Sequence, residues 1–257
     1  MIRPFLQMAE RLITNCKYSI ESKDAQGRTP LHTAAQHGQA ETLRSFLHKL
    51  FNEELSALKV TPGGKLSDSL ASAFQRKLSE KHKDQSGNTP LHTACIHGQL
   101  DTVQLLTREI RCDPNTTNSE GMSSLHLAAQ HGHFPVVRYL VEEVGAEVNV
   151  EDEHGMSPTY LAAGGGHLDI LQYLVEVKKA DPHFKTGTEW KTAAFSMAAG
   201  RSLVHTASRE GQLHVVRYLV EQKCCDPDCR DDNRIIPLYL ACQEGHMNIV
   251  TYLISKL

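Results

Sequence analysis

The chain has 257 residues and a net charge of −3, from 27 lysines and arginines against 30 aspartates and glutamates. That balance supplies no general basic field and argues against nonspecific nucleic-acid binding, while no apolar run approaches the roughly 20 residues that span a bilayer. Residues 1–10 lack the charged start, apolar centre and cleavage site of a secretory leader, so the seven cysteines are expected as reduced thiols in the cytoplasm or the nucleus.

The first predicted element is a short helix over residues 4–15. Met8, Ala9, Leu12 and Ile13 precede Asp24 at the spacings by which Val136, Val137, Leu140 and Val141 precede Asp152. It reads as half a unit, a lone second helix capping a stack. A phrase then recurs. Thr29-Pro-Leu-His32 and Thr89-Pro-Leu-His92 are identical, and Ser123-Ser-Leu-His126, Ser157-Pro-Thr-Tyr160, Ser202-Leu-Val-His205 and Ile236-Pro-Leu-Tyr239 are variants. Six residues beyond each stands a glycine, from Gly38 to Gly245. The fourth letters are spaced by 60, 34, 34, 45 and 34 residues, so the unit is 34 residues and two junctions carry 26 and 11 more. The expected repeats are 24–51, 84–117, 118–151, 152–183, 200–230 and 231–257, with insertions at 52–83 and 184–199. All belong to a single elongated domain, 1–257, because stacked units contact only their neighbours.

Within a unit, Thr or Ser caps a first helix, and proline at the first helical position gives up no hydrogen bond. In residues 121–149, Leu125, Ala128 and Ala129 form the buried face, and Gly132 ends the helix with positive φ. A second helix starts near Pro135, with Val136, Val137, Leu140, Val141 and Val144 on one face. The same spacing recurs at Ile170, Val215 and Ile249. One such pair cannot bury its apolar face alone, so stacking is obligatory.

The first insertion is expected to lengthen the second helix of the first repeat, turn at Thr61-Pro-Gly-Gly64, and return through a helix carrying Leu66, Leu70, Phe74 and Leu78. Such an arm either packs on itself or serves as a docking arm. The second insertion holds Trp190, the single tryptophan, with Phe195 and Met197. It either stands clear as a lengthened finger with a binding hot spot or folds back over its neighbours.

On the signature T-P-L-H-x-A, met by residues 29–34 and 89–94, the chain resembles ankyrin repeats. Gly145-Ala-Glu-Val-Asn149 is similar to the family's inter-repeat loop, and Cys112-Asp-Pro-Asn115 is a variant of it. The resemblance implies an all-α solenoid of helix-turn-helix units with β-turn fingers, here with a helical insertion and an extended finger. The family period is 33, and the extra residue of each unit is expected late in its second helix. The resemblance also makes His32, His92, His126 and His205 structural, linking neighbouring turns. It implies a non-catalytic scaffold or adaptor, a monomer, that binds a protein or peptide through the concave face and fingers. No cofactor, metal, nucleic acid, membrane or small-molecule substrate is expected. The expected contacts are Arg28, His37, Asn88, Ile96, His97, Met122, Gln130, His131, Met156, Trp190, Arg201, Arg209 and Ile235. Met122, Met156 and Ile235 share the position after the turn glycine, taken as exposed. Gly164-Gly-Gly166 either admits a partner's backbone or softens the stack. Asn149 is similar to asparagines hydroxylated in ankyrin repeats.

The alternative is the targeting region of a larger protein, a ubiquitin-ligase subunit or a kinase, whose catalytic part lies elsewhere. The last helix carries Tyr252, Leu253 and Ile254 with no polar cap after it. Either it shields its own face or the chain is cut from a longer protein. No catalytic spacing is present, and Gly63-Gly-Lys65 is not a phosphate loop. His37, His97 and His131 precede corner glycines on successive helices, which pack about 8–10 Å apart. Zinc needs nitrogens at about 2.0–2.1 Å, so that series cannot share one ion. Cys95 and Cys242 align with Ala35, Ala129, Ala163 and Ser208, marking small buried positions.

Overall fold

The computed structural model describes residues 21–57, 82–186 and 200–257. The half-unit at 4–15, the returning helix of the first insertion, and Trp190 with Phe195 and Met197 lie outside the described residues.

First helices are α1 (Pro30–Gln36), α3 (Pro90–Ile96), α5 (Ser124–Gln130), α7 (Pro158–Gly165), α9 (Leu203–Arg209) and α11 (Pro237–Gln243). Second helices are α2 (Ala40–Ala57), α4 (Leu100–Arg108), α6 (Phe134–Tyr139), α8 (Leu168–Gln172), α10 (Leu213–Arg217) and α12 (Met247–Ile254). Each first helix but the last starts behind an extended Thr or Ser; Thr89 and Ser157 accept a backbone N–H of the first turn. In four units a histidine completes a reciprocal cap. The backbone N–H of Thr29, Thr89, Ser123 and Ser202 donates to Nδ1 of the histidine three residues on, at 3.0–3.2 Å. Imidazole thus takes the part that Glu or Gln plays in a capping box.

The corner glycine is required on two counts, which Gly132 shows best. Its φ is +77°, and a Cβ there would meet the His167 ring at 2.4 Å. The extra residue of the 34-residue period is absorbed late in the second helix, as expected. α6, α8 and α10 pass into single π-helical turns at Leu140–Val144, Tyr173–Val177 and Tyr218–Gln222. The chain then reverses through a left-handed residue. Gly145 does this without strain, whereas Arg111, Lys179 and Cys224 hold the same place with φ of 57°, 61° and 56°. The next N–H, of Cys112, Ala146, Ala180 or Cys225, closes onto a carbonyl six residues back at 2.9–3.0 Å.

Two compact units form, residues 1–119 and 120–257. In the first, α1 packs on α3 and α2 on α4. In the second, α5, α7, α9 and α11 pack in series, with α6 on α8 and α10 on α12. Fully buried Ala162, Ala163, Ala207 and Ala241 let first helices approach closely, while Leu171, Val216, Leu219, Ile249 and Leu253 fill the layer behind them. α2 runs on to Ala57, lengthened as the sequence suggests. At the second insertion Lys185 and Ser202 form an antiparallel bridge, and the Thr186 N–H donates to Arg201 O at 3.0 Å. The described flanks, Lys185–Thr186 and Gly200–Ser202, therefore lie side by side.

Candidate protein-interaction surface

The capping histidines also cross to the next turn. Nε2–H of His32 donates to Asn88 O at 2.9 Å, His92 to Thr116 O at 3.0 Å, and His205 to Ile235 O at 2.9 Å. His126 reaches both Val150 O and Met156 O at 3.1 Å. Each ring is buried with both nitrogens engaged in its neutral form. Burial lowers the pKa of all four, to about 4 for His92 and His126. These histidines link neighbouring turns, as the resemblance implied. At the same place Tyr160 is buried, edge-on to Phe184.

The linked turns are rigid fingers. Oδ1 of Asp24, Asp84, Asp152 and Asp231 accepts the N–H groups two and four residues on, all at 2.8–2.9 Å. Backbone bonds join finger to finger: Gln85 N–H to Gln26 O, Ser119 N–H to Ser86 O, and Glu153 N–H to Glu120 O, at 2.9–3.0 Å.

On this frame His37, His97, His131 and Arg209 are exposed, and Arg28, Asn88, Ile96, Gln130, Met156 and Ile235 are half-buried. Two expected contacts point inward. Met122 is only 5 % exposed, since a large apolar side chain gains more from burial than from a place on the finger. Arg201 is 8 % exposed because the buried carboxylate of Asp231 draws its Nε to 3.4 Å. Met156 leans on the core of the second unit. Trp190 lies outside the described residues.

The glycine run has an internal explanation at two of its positions. A Cβ on Gly165 would strike His167 at 2.6 Å and Gln130 O at 2.9 Å, and one on Gly166 would strike Gln212 at 2.3 Å. Cys242 is exposed, unlike Cys95, so that alignment does not mark a buried site in the last repeat. Burial holds the thiols of Cys112 and Cys225 protonated, with pKa raised to about 12 and about 11.

The second-helix side carries a second series of links. The hydroxyls of Tyr173, Tyr218 and Tyr252 donate to Glu142, Glu176 and Glu221 of the preceding repeat at 3.0–3.1 Å. Lys223 and Lys256 pair with the last two of these carboxylates at 2.9 and 3.3 Å. Lys178, Lys223 and Lys256 lie over the Tyr rings at 5.2–5.6 Å. The signal for this series was the recurring Tyr-Leu-Val-Glu at 139, 173 and 218, which the repeat phrase overshadowed.

A family model of ankyrin repeats, three copies long, matches residues 3–118, 65–152, 109–186 and 161–257. The chain belongs to the ankyrin-repeat family. Ankyrin repeats are in general protein–protein interaction modules and typically non-catalytic. No helix among the described residues is long and apolar enough to cross a membrane. The chain is also 28% identical over 110 residues to the serine/threonine-protein kinase TNNI3K of Mus musculus. That match takes in 37% of this chain and 13% of the kinase.

Proposed function

We propose that this ankyrin-repeat chain is a scaffold or adaptor that binds a partner protein or peptide through its fingers and the ends of its first helices. What supports this is how polar groups are divided over the surface. On the second-helix side Glu, Tyr and Lys bind one another across repeats. On the finger side of each unit exposed side chains stand at the first-helix ends, His37 and His97 in the first unit and His131 and Arg209 in the second, a preorganised arrangement that costs little ordering on binding. Arg28, Asn88 and Ile96 add half-buried side chains in the first unit, and Gln130, Met156 and Ile235 in the second. The test is capture from a native lysate by the chain, by a His97→Ala, His131→Ala, Arg209→Ala triple variant, and by a Glu142→Gln, Glu176→Gln, Glu221→Gln control. The reading requires the first variant to lose the captured protein and the control to keep it. Equal capture by both would remove it. A tagged chain is expected in the cytoplasm or nucleus.

Asn149 is exposed, next to the Val150 carbonyl that His126 holds, and remains the proposed hydroxylation site. Mass spectrometry of protein from animal cells would show one added oxygen there. The second reading, a targeting region of a larger kinase, is favoured by the resemblance to the mouse enzyme. A transcript whose reading frame runs into a catalytic domain would support it, and one lacking such a domain would end it.

A further inference from the structure

Four finger aspartates hold their turns in one way and differ in what meets their other oxygen. Oδ1 of Asp24, Asp84, Asp152 and Asp231 takes the same two N–H groups, which fixes each carboxylate in its turn. At three of them a side chain then donates to Oδ2. Arg28 Nε reaches Asp24 at 2.9 Å, Asn88 Nδ2 reaches Asp84 at 3.3 Å, and Arg201 Nε reaches Asp231 at 3.4 Å. The donor stands four residues on in the same finger, or at that same place in the finger before.

At Asp152 both of those places hold methionine, Met156 and Met122. Its Oδ2 has no partner among the described residues, and Asp152 is only 7 % exposed. A carboxylate oxygen kept from water without a donor is costly. Burial raises the pKa of Asp152, against the lowering by the Met156 and His154 N–H groups, and the charges that act on it are His154 and Glu120. The Glu153 N–H donates to Glu120 O at 2.9 Å, so the two fingers lie side by side. Glu120, Glu151 and Glu153 are exposed there, and residues 118–122 and 145–156 contain no lysine or arginine. Met156 is half-buried and unbranched, a cover that can turn aside.

We propose that Asp152 receives one arginine side chain of a partner, which enters past Met156 and donates from its guanidinium to Oδ2. The chain makes this pair for itself at Asp24 and Asp231, with arginine as the donor in both. The planar guanidinium suits a carboxylate, and the exposed glutamates of the two fingers draw a cation in. The site rests on the finger surface proposed above and names the side chain that a partner brings to it.

Titration of the isotope-labelled full chain with acetyl-Gly-Arg-Gly-amide, followed by NMR, tests it beside the same peptide carrying citrulline. The arginine peptide should shift the His154 and Met156 amides, whose N–H groups Asp152 holds, and saturate at millimolar concentration. The citrulline peptide, alike in shape but uncharged, should not. Asp152→Asn should abolish the response with unchanged circular dichroism, since Asn118 holds the same place in the preceding finger. Glu153→Gln should weaken binding by about threefold at most, as loss of one exposed charge does. The titration uses no captured protein, so its failure removes this site and leaves the wider surface to the lysate test. No saturable shift, an equal response to citrulline, a response that survives Asp152→Asn, or as great a loss from Glu153→Gln would each overturn the proposal.

Discussion

The first-helix layer and the second-helix layer solve the same problem in opposite ways. Both must tie one repeat to the next with polar side chains. The first layer uses a neutral, buried imidazole whose two nitrogens join its own cap to the following turn. The second uses buried Tyr rings whose hydroxyls reach Glu at the surface, where carboxylate and ammonium meet water. The contrast teaches where a partner can bind. The buried ties stiffen the first-helix ends and fingers from within, whereas the surface ties occupy the side that carries them.

Acid should break the first layer and spare the second. A buried histidine whose folded pKa is lowered leaves the unfolded state binding more protons below about 6.5, so stability falls as pH drops from there toward 4. His92 and His126 should each cost on the order of 3 kcal/mol over that range. His32 and His205 shift the same way and add to the loss. Urea unfolding at pH 7, 5.5 and 4 measures it, and a flat response would mean that these rings are not held neutral. At a single site, His126→Leu takes the imidazole from the Ser123 N–H and from the Val150 carbonyl, and removes one of the two donors on the Met156 carbonyl, the other being the Asp152 N–H. A loss of about 3 kcal/mol is expected from the same unfolding curves. Gly132→Val forces a left-handed β-branched residue into the His167 ring, and should lower stability by about 2 kcal/mol. Ser208→Ala should raise it by about 1 kcal/mol, since the buried Ser208 hydroxyl has no partner where the preceding repeat carries Ala163. Smallest is Tyr218→Phe in the second layer, with an expected loss under about 1 kcal/mol because the bond to Glu176 lies at the water-facing edge. A loss as large as that of His126→Leu would erase the difference between the layers.

The repeat, its caps and its corner glycines were legible because each is written within about ten residues. The linking role of the histidines came through the family signature, though not that Nδ1 accepts the cap N–H while Nε2 reaches onward. What fills the corner could not be read: His167 meets Gln130, 37 residues away, and no local pattern marks that meeting. The same holds for Tyr218 and Glu176, separated by 42 residues. Met122 and Arg201 were misplaced because exposure at a finger is set by its surroundings, for Arg201 by Asp231 one repeat on. Arg111, Lys179 and Cys224 gave no warning either, since side chains that disfavour positive φ hold a place filled elsewhere by Gly145.

The most direct measurement is amide hydrogen exchange of the chain alone and bound to the protein it captures. The account predicts new protection at the fingers and at the first-helix ends near His37, His97, His131 and Arg209, with the Tyr173, Tyr218 and Tyr252 side unchanged. Protection confined to the second helices would contradict it.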